Sequence, residues 1–234
     1  MPRIQRQQGF TLVEMAIVLV IIGLLLGGIL KGQELITSAR VRNIADQSSG
    51  VQAAYYGFLD RYRQVPGDWS ATNAAQAIPG VTTGGNANGR LDGSPVWTEA
   101  LALWEHLSKS GFIQGNYVGG TAAPNQDDTN IAPRNAFNGF LMLFQSSDYS
   151  DPGTASVKLN LVLGAGIPVN VVSELDRKID DGLPETGVIR HALTTGGTFG
   201  AISLSNTDCV DTSVTPPIWN IAANQSSCNA VYLY

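Results

Sequence analysis

Glu14 is the first residue of this chain whose type and place demand an explanation. It stands one turn inside an apolar run, residues 10–30, in which residues 15–30 contribute no polar side chain. An ionised carboxylate there costs on the order of 2.5–3.5 kcal/mol in a bilayer even on a lenient insertion scale, so a compensating partner is required. A second candidate is the stretch Gly84-Gly85-Asn86-Ala87-Asn88-Gly89-Arg90-Leu91-Asp92-Gly93. Laid on the twelve-residue calcium loop, Asn86 and Asn88 fall at oxygen-ligand positions, Gly89 at the turn glycine, Arg90 at the carbonyl position and Asp92 at a later ligand. Gly84 and Pro95 occupy the first and last ligand positions, where carboxylates are expected. A calcium site would therefore need Glu99 or Asp68, and a plain Asn-Gly turn is the competing reading. Asp176, Asp180 and Asp181 form a third cluster, read either as a cation site or as a solvated helix end.

Catalytic constellations do not assemble. The two histidines, His106 and His191, are far apart in sequence, and there is no His-x-x-x-His, no Cys-x-x-Cys, no phosphate-binding glycine loop with its lysine and no Gly-x-Ser-x-Gly. The expectation is a protein that is not an enzyme and needs no cofactor, calcium being the one ion to test.

The N-terminal stretch Gln8-Gly9-Phe10-Thr11-Leu12-Val13-Glu14 resembles the processing site of type IV pilins and pseudopilins. The resemblance implies a basic leader, residues 1–9, cut after Gly9 by a membrane prepilin peptidase, and a new N-terminal Phe10 that becomes N-methylated. It also implies that Glu14 meets the N-terminal amine of a neighbouring subunit, which agrees with the physics, because a buried carboxylate and a buried ammonium become tolerable as a pair. An ordinary secretory signal fits less well: Arg3 and Arg6 suit it, but the apolar core exceeds the usual 7–15 residues and no Ala-x-Ala site follows. A plain signal anchor would leave Glu14 unexplained.

Residues 10–30 reach roughly 32 Å as a helix, close to the ~30 Å core of a bilayer. Beyond them Ile44, Val51, Tyr55, Phe58 and Tyr62 keep helical spacing on one face. This predicts one helix from residue 10 to about residue 62, roughly 80 Å long, membrane-spanning first and amphipathic over residues 31–65. Gly23, Gly27, Gly28 and Gly32 either weaken it, at roughly 1 kcal/mol each relative to Ala, or allow close helix packing.

Residues 66–234 are expected to form one globular head. Val65-Pro66-Gly67-Asp68 ends the long helix, and residues 68–95 read as loop. Ser94 and Pro95 open a second helix whose Trp97, Leu101, Trp104 and Leu107 form a core face that stops at Gly111. Residues 137–144 and 156–163 read as strands, the latter with Val157, Leu159, Leu161 and Leu163 alternating against Lys158 and Asn160. A third helix is expected over residues 167–180, and further strands over 188–193, 199–204 and 231–234. The fold class is α+β: a long N-terminal helix packed on an antiparallel β-sheet head with additional helices. Cys209 and Cys228, an even pair in a translocated chain, read as a disulfide rather than two free thiols, stabilising by about 3 kcal/mol in the chain-entropy model. They also resemble the C-terminal disulfide loop of many type IV pilins.

Bulk charge argues against nucleic acid, since the net charge is −5 before the two leader arginines are removed. With 14% charged residues and 26 glycines, the composition suits a loop-rich extracytoplasmic domain. The partners implied by the resemblance are copies of the same chain in a helical filament, the peptidase, an assembly platform and the inner membrane. The expected function is a pilus subunit, with a pseudopilin of a type II secretion or DNA-uptake system, or a low-copy adhesive minor pilin, as alternatives.

Overall fold

A computed structural model describes residues 11–92, 96–193 and 207–234. Helix α1 runs over Leu12–Tyr62, and the chain divides into two units, residues 1–39 and 40–234. In the first unit α1 is apolar and long enough to cross a membrane, and every residue from Thr11 to Lys31 is exposed. Leu12, Leu19, Leu24 and Leu30 are each exposed by about two thirds or more, at 86%, 66%, 73% and 67%. Burying a leucine side chain stabilises by roughly 1.5–3 kcal/mol, so an unaccompanied stem of this kind would be strongly unfavourable in water.

In the second unit the same helix becomes amphipathic. Val41, Ile44, Ser48, Val51, Tyr55 and Phe58 are buried at alternating spacings of three and four, with Ala54 beside them, along the face predicted from the sequence. α1 ends at Tyr62, where Arg63 takes a left-handed conformation (φ 55°), ahead of Pro66.

Residues 68–95, expected to be loop throughout, include a helical segment. A short helix α2, Ala71–Ala77, follows Ser70, because Ala-Thr-Asn-Ala-Ala-Gln-Ala contains no breaker and buries Ala74. α3 covers Val96–Lys109 with Leu101, Trp104 and Leu107 fully buried, and Gly111 follows at φ +82°, as the expected stop requires. Ser94 and Pro95, its expected start, lie outside the described residues.

Four strands form one antiparallel sheet in the order β1-β2-β6-β3: β1 Met142–Ser146, β2 Lys158–Val162, β3 Ile189–His191 and β6 Ala230–Leu233. β1 begins later than the run 137–144 suggests. Asn138 turns at φ 69°, and the Asn135 side chain accepts the amides of Phe137 and Gly139, so these residues form a turn before pairing starts. The alternation expected in β2 also fails at two places. Val157 is 62% exposed, while Asn160 is fully buried and donates to the Ser146 carbonyl and hydroxyl at 3.0 and 3.1 Å. A buried side-chain amide that donates to its neighbouring strand replaces the polar exterior position, while its Oδ1 has no hydrogen-bond partner among the described residues.

α4, Val169–Ile179, takes Pro168 as its N-cap and buries Val171, Val172 and Leu175. A small hairpin, β4 Val210–Asp211 with β5 Ile218–Trp219, lies inside the C-terminal loop, where the sequence suggests no strand. Residues 199–204, expected as a strand, lie outside the described residues. The C-terminus is tied back to the long helix within the second unit, where the Tyr234 hydroxyl donates to the Ser48 carbonyl at 2.9 Å.

Candidate functional site

The N-terminal candidate site is built on the first turn of α1. Thr11 caps the helix: its Oγ accepts the Glu14 amide at 3.2 Å, and Glu14 Oε2 accepts the Thr11 amide and the Thr11 hydroxyl, each at 2.8 Å. This reciprocal capping box satisfies two main-chain donors that the start of a helix leaves unpaired. Thr11-Leu12-Val13-Glu14 is the Thr-x-x-Glu signature of such a box, so the sequence carries the signal, overshadowed there by the misplaced charge of Glu14. Glu14 Oε1 has no partner among the described residues. The cap therefore occupies one carboxylate oxygen of an exposed residue and does not use the other. Gly9 and Phe10, the expected cut site and new N-terminus, lie outside the described residues.

Cys209 and Cys228 are joined in a disulfide, with Cα atoms 5.9 Å apart and both residues fully buried. Main-chain bonds between Ile167 and Cys228, in both directions, fasten the closed loop beside the start of α4.

Asn86, Asn88, Arg90 and Asp92 share one loop, and the two carboxylates that the calcium reading needed from elsewhere both reach it. Asp68 accepts the amides of Asn88 and Gly89 at 3.1 and 2.7 Å, and Glu99 accepts those of Asn86 and Asp92 at 3.2 and 3.0 Å. Both carboxylates are 2% exposed. Asn86 Oδ1 accepts the Asn88 amide, Asn88 Oδ1 accepts the Arg90 amide, and Asn88 Nδ2 donates to Asp92. The loop is thus organised by charge-assisted bonds from carboxylates to main-chain amides, with its side-chain oxygens serving its own turns.

The same segment is fastened to α3 by two further polar residues. Glu105 receives the amides and hydroxyls of Thr82 and Thr83. Burial raises its pKa, but these four bonds outweigh burial and hold the carboxyl below its ordinary value. His106, fully buried and stacked near Phe58, accepts the Gly67 amide on Nδ1 at 3.0 Å and lies 2.9 Å from the Thr83 carbonyl through Nε2. That pattern assigns the neutral tautomer with the proton on Nε2. Burial pushes its pKa down against the raising influence of Thr83 and Glu105. Gly67 is obligatory at this junction: its φ is +90°, and a Cβ would lie 2.4 Å from the Glu99 carbonyl oxygen. His106 thus serves packing and main-chain bonding within the head.

Asp176, Asp180 and Asp181 do meet, with oxygens within 4.8 Å of one another. Each serves the fold: Asp176 accepts the Trp219 indole N–H at 2.6 Å and the Gly182 amide at 3.2 Å, Asp180 accepts the amides of Val188 and Ile189, and Asp181 accepts the Leu183 amide. Asp176 is fully buried, and burial pushes its pKa up to about 6.

A long apolar N-terminal helix, an antiparallel sheet and a C-terminal disulfide define an α+β architecture consistent with the pilin fold. Residues 4–30 match the family model of the prokaryotic N-terminal methylation motif, and this match supports a type IV pilin-like prepilin. No curated protein and no solved structure matches the chain. The motif, together with the apolar helix, fits a membrane-anchored precursor processed by a prepilin peptidase, and it points to a structural protein rather than an enzyme.

Proposed function

We propose that this chain is a structural subunit of a type IV pilus-like filament, cleaved after Gly9, N-methylated at Phe10 and assembled through α1. The precursor spans the inner membrane with its head on the periplasmic side, and the mature subunit then enters an extracellular filament. The observation that carries the reading is the stem from Thr11 to Lys31, exposed throughout, apolar but for residues at its two ends, and preceded by the methylation motif. Its removal from lipid becomes feasible when the apolar surface passes into an equally apolar bundle of identical helices. Glu14 Oε1, left over from the helix cap, then takes the ammonium of a neighbouring Phe10, and that pairing sets the register between subunits. The disulfide-closed head favours a pilus subunit over a pseudopilin.

Mass spectrometry of the mature protein tests the processing step. The expected product begins at methylated Phe10; a chain that begins at Met1 or beyond Lys31 overturns the reading. Purified filaments test the bulk role, because a main subunit dominates their protein mass whereas a minor one is scarcely detected.

A further inference from the structure

The head has a cleft of about 410 Å³ between the C-terminal half of α4 and the disulfide-closed loop, within the range typical of small-ligand sites. Trp219 lies at its base, 3% exposed and oriented by its bond to Asp176, while Ile218 and Ile221 at its rim are 43% and 46% exposed. Several polar groups on its walls are not used by the fold. Ser173 is 2% exposed, yet its hydroxyl makes no hydrogen bond among the described residues. Among those residues the Arg177 guanidinium has no partner either. Asn220 uses Oδ1 to accept the Ala223 amide and Asp211 uses Oδ1 for Ser213, so Asn220 Nδ2 and Asp211 Oδ2 have no partner among the described residues.

We propose that this cleft binds a neutral carbohydrate, with Arg177, Asn220, Asp211 and Ser173 bonding its hydroxyls and the aliphatic rim facing its C–H surface. The chemistry of the walls selects that class. Two donors, one acceptor and one hydroxyl that does both match a ring whose hydroxyls each donate and accept, and an apolar surface beside them suits the C–H faces of the same ring. Charge narrows the choice, since Arg177 is set against two carboxylates, Asp181 and Asp211, and a net negative cleft opposes phosphorylated or acidic sugars. The walls are pre-organised by the Cys209–Cys228 disulfide and the Asp176–Trp219 bond, which reduces the ordering cost of binding. The inference concerns the head and holds whether or not the chain forms filaments.

The full chain in a sugar-free zwitterionic detergent is titrated with lactose, maltose, cellobiose and diacetylchitobiose, with binding followed by saturation-transfer NMR and calorimetry. At least one disaccharide should bind saturably, and Arg177→Ala and Asp211→Asn should each weaken it at least about tenfold without moving the thermal transition. Arg177 has no partner among the described residues, and the carboxamide oxygen introduced at position 211 can still accept from Ser213, so neither variant should disturb folding. The proposal is overturned if none of the four saturates by about 10 mM, if binding survives both substitutions unchanged, or if glucose 1-phosphate or a lysine-containing dipeptide binds more tightly than every neutral sugar.

Discussion

The Trp219 indole N–H donates to Asp176 at 2.6 Å, joining the hairpin inside the disulfide loop to the buried face of α4. This bond holds a fully buried carboxylate whose nearest charged neighbours, Asp180 and Asp181, have the same sign. Burial first, then those two charges, raise the Asp176 pKa to about 6 from 3.8, against the lowering influence of Trp219 and Gly182. The folded protein therefore binds a proton more tightly here than the unfolded chain does. The stability this group confers is fully present below about pH 4 and is lost as pH rises through about 6. In urea titrations at pH 4 and pH 7, wild type minus Asp176→Asn should fall by on the order of 2 kcal/mol toward the higher pH; a difference independent of pH would refute the assignment.

His106 gives a pH dependence of opposite sign. Its folded pKa is depressed below 6.5, chiefly by burial, and protonation on Nδ1 would set a donor against the Gly67 amide. Stability from this group is full above about pH 6.5 and falls as pH drops through the window below it, where the unfolded chain takes up the proton first. Because Asp176 offsets this slope in wild type, the comparison must be made in Asp176→Asn. There, removing the histidine as well, with His106→Gln, should flatten the decline in melting temperature between pH 7 and pH 5. An unaltered slope would place the titrating group elsewhere.

Glu14 is predicted to act twice, as a helix cap and as an intersubunit charge, and two substitutions separate the roles. Glu14→Gln keeps an oxygen for the Thr11 amide but removes the charge, and should abolish filaments recovered by shearing while leaving cleavage intact. Thr11→Val removes the reciprocal cap, at about 0.5–2 kcal/mol for the helix start, and should leave filaments present. If Glu14→Gln assembles normally, the pairing idea fails. If Thr11→Val alone is defective, capping is the function of Glu14.

At the 84–93 loop, Asp68→Ala removes the charged acceptor of the Asn88 and Gly89 amides that ties the loop to the head, and should lower the melting temperature by several degrees, from a loss of about 1–3 kcal/mol. A chelator of divalent cations should leave the wild-type transition unchanged, because Asp68 and Glu99 already hold the loop through its amides. A chelator-dependent fall, restored by calcium, would instead show an ion shared among Asn86, Asn88, the Arg90 carbonyl and Asp92.

Several elements were legible because their signals are local. The buried side of α1 and the Leu101, Trp104 and Leu107 face of α3 follow from apolar spacing, and the cysteine pairing needed no choice among partners once two cysteines were present. The misreadings came from the same local rules. Alternation alone placed Asn160 outside, although Ser146 on the neighbouring strand accepts from its Nδ2 inside; glycine and asparagine content hid α2, and the Thr-, Ser- and Pro-rich run 212–217 hid the β4–β5 hairpin.

The sequence by itself determined the apolar stem, its prepilin-type start and the position of the one carboxylate within it, because hydrophobic length and motif spacing act between near neighbours in the chain. The tertiary structure alone decided that Asp68 and Glu99 close the same loop, that His106 is held between Gly67 and Thr83, and that Trp219 points its N–H at Asp176. Those partners are brought together by packing across distant parts of the chain. A hydrogen bond depends on the final separation and direction of two groups, which no spacing in the sequence records.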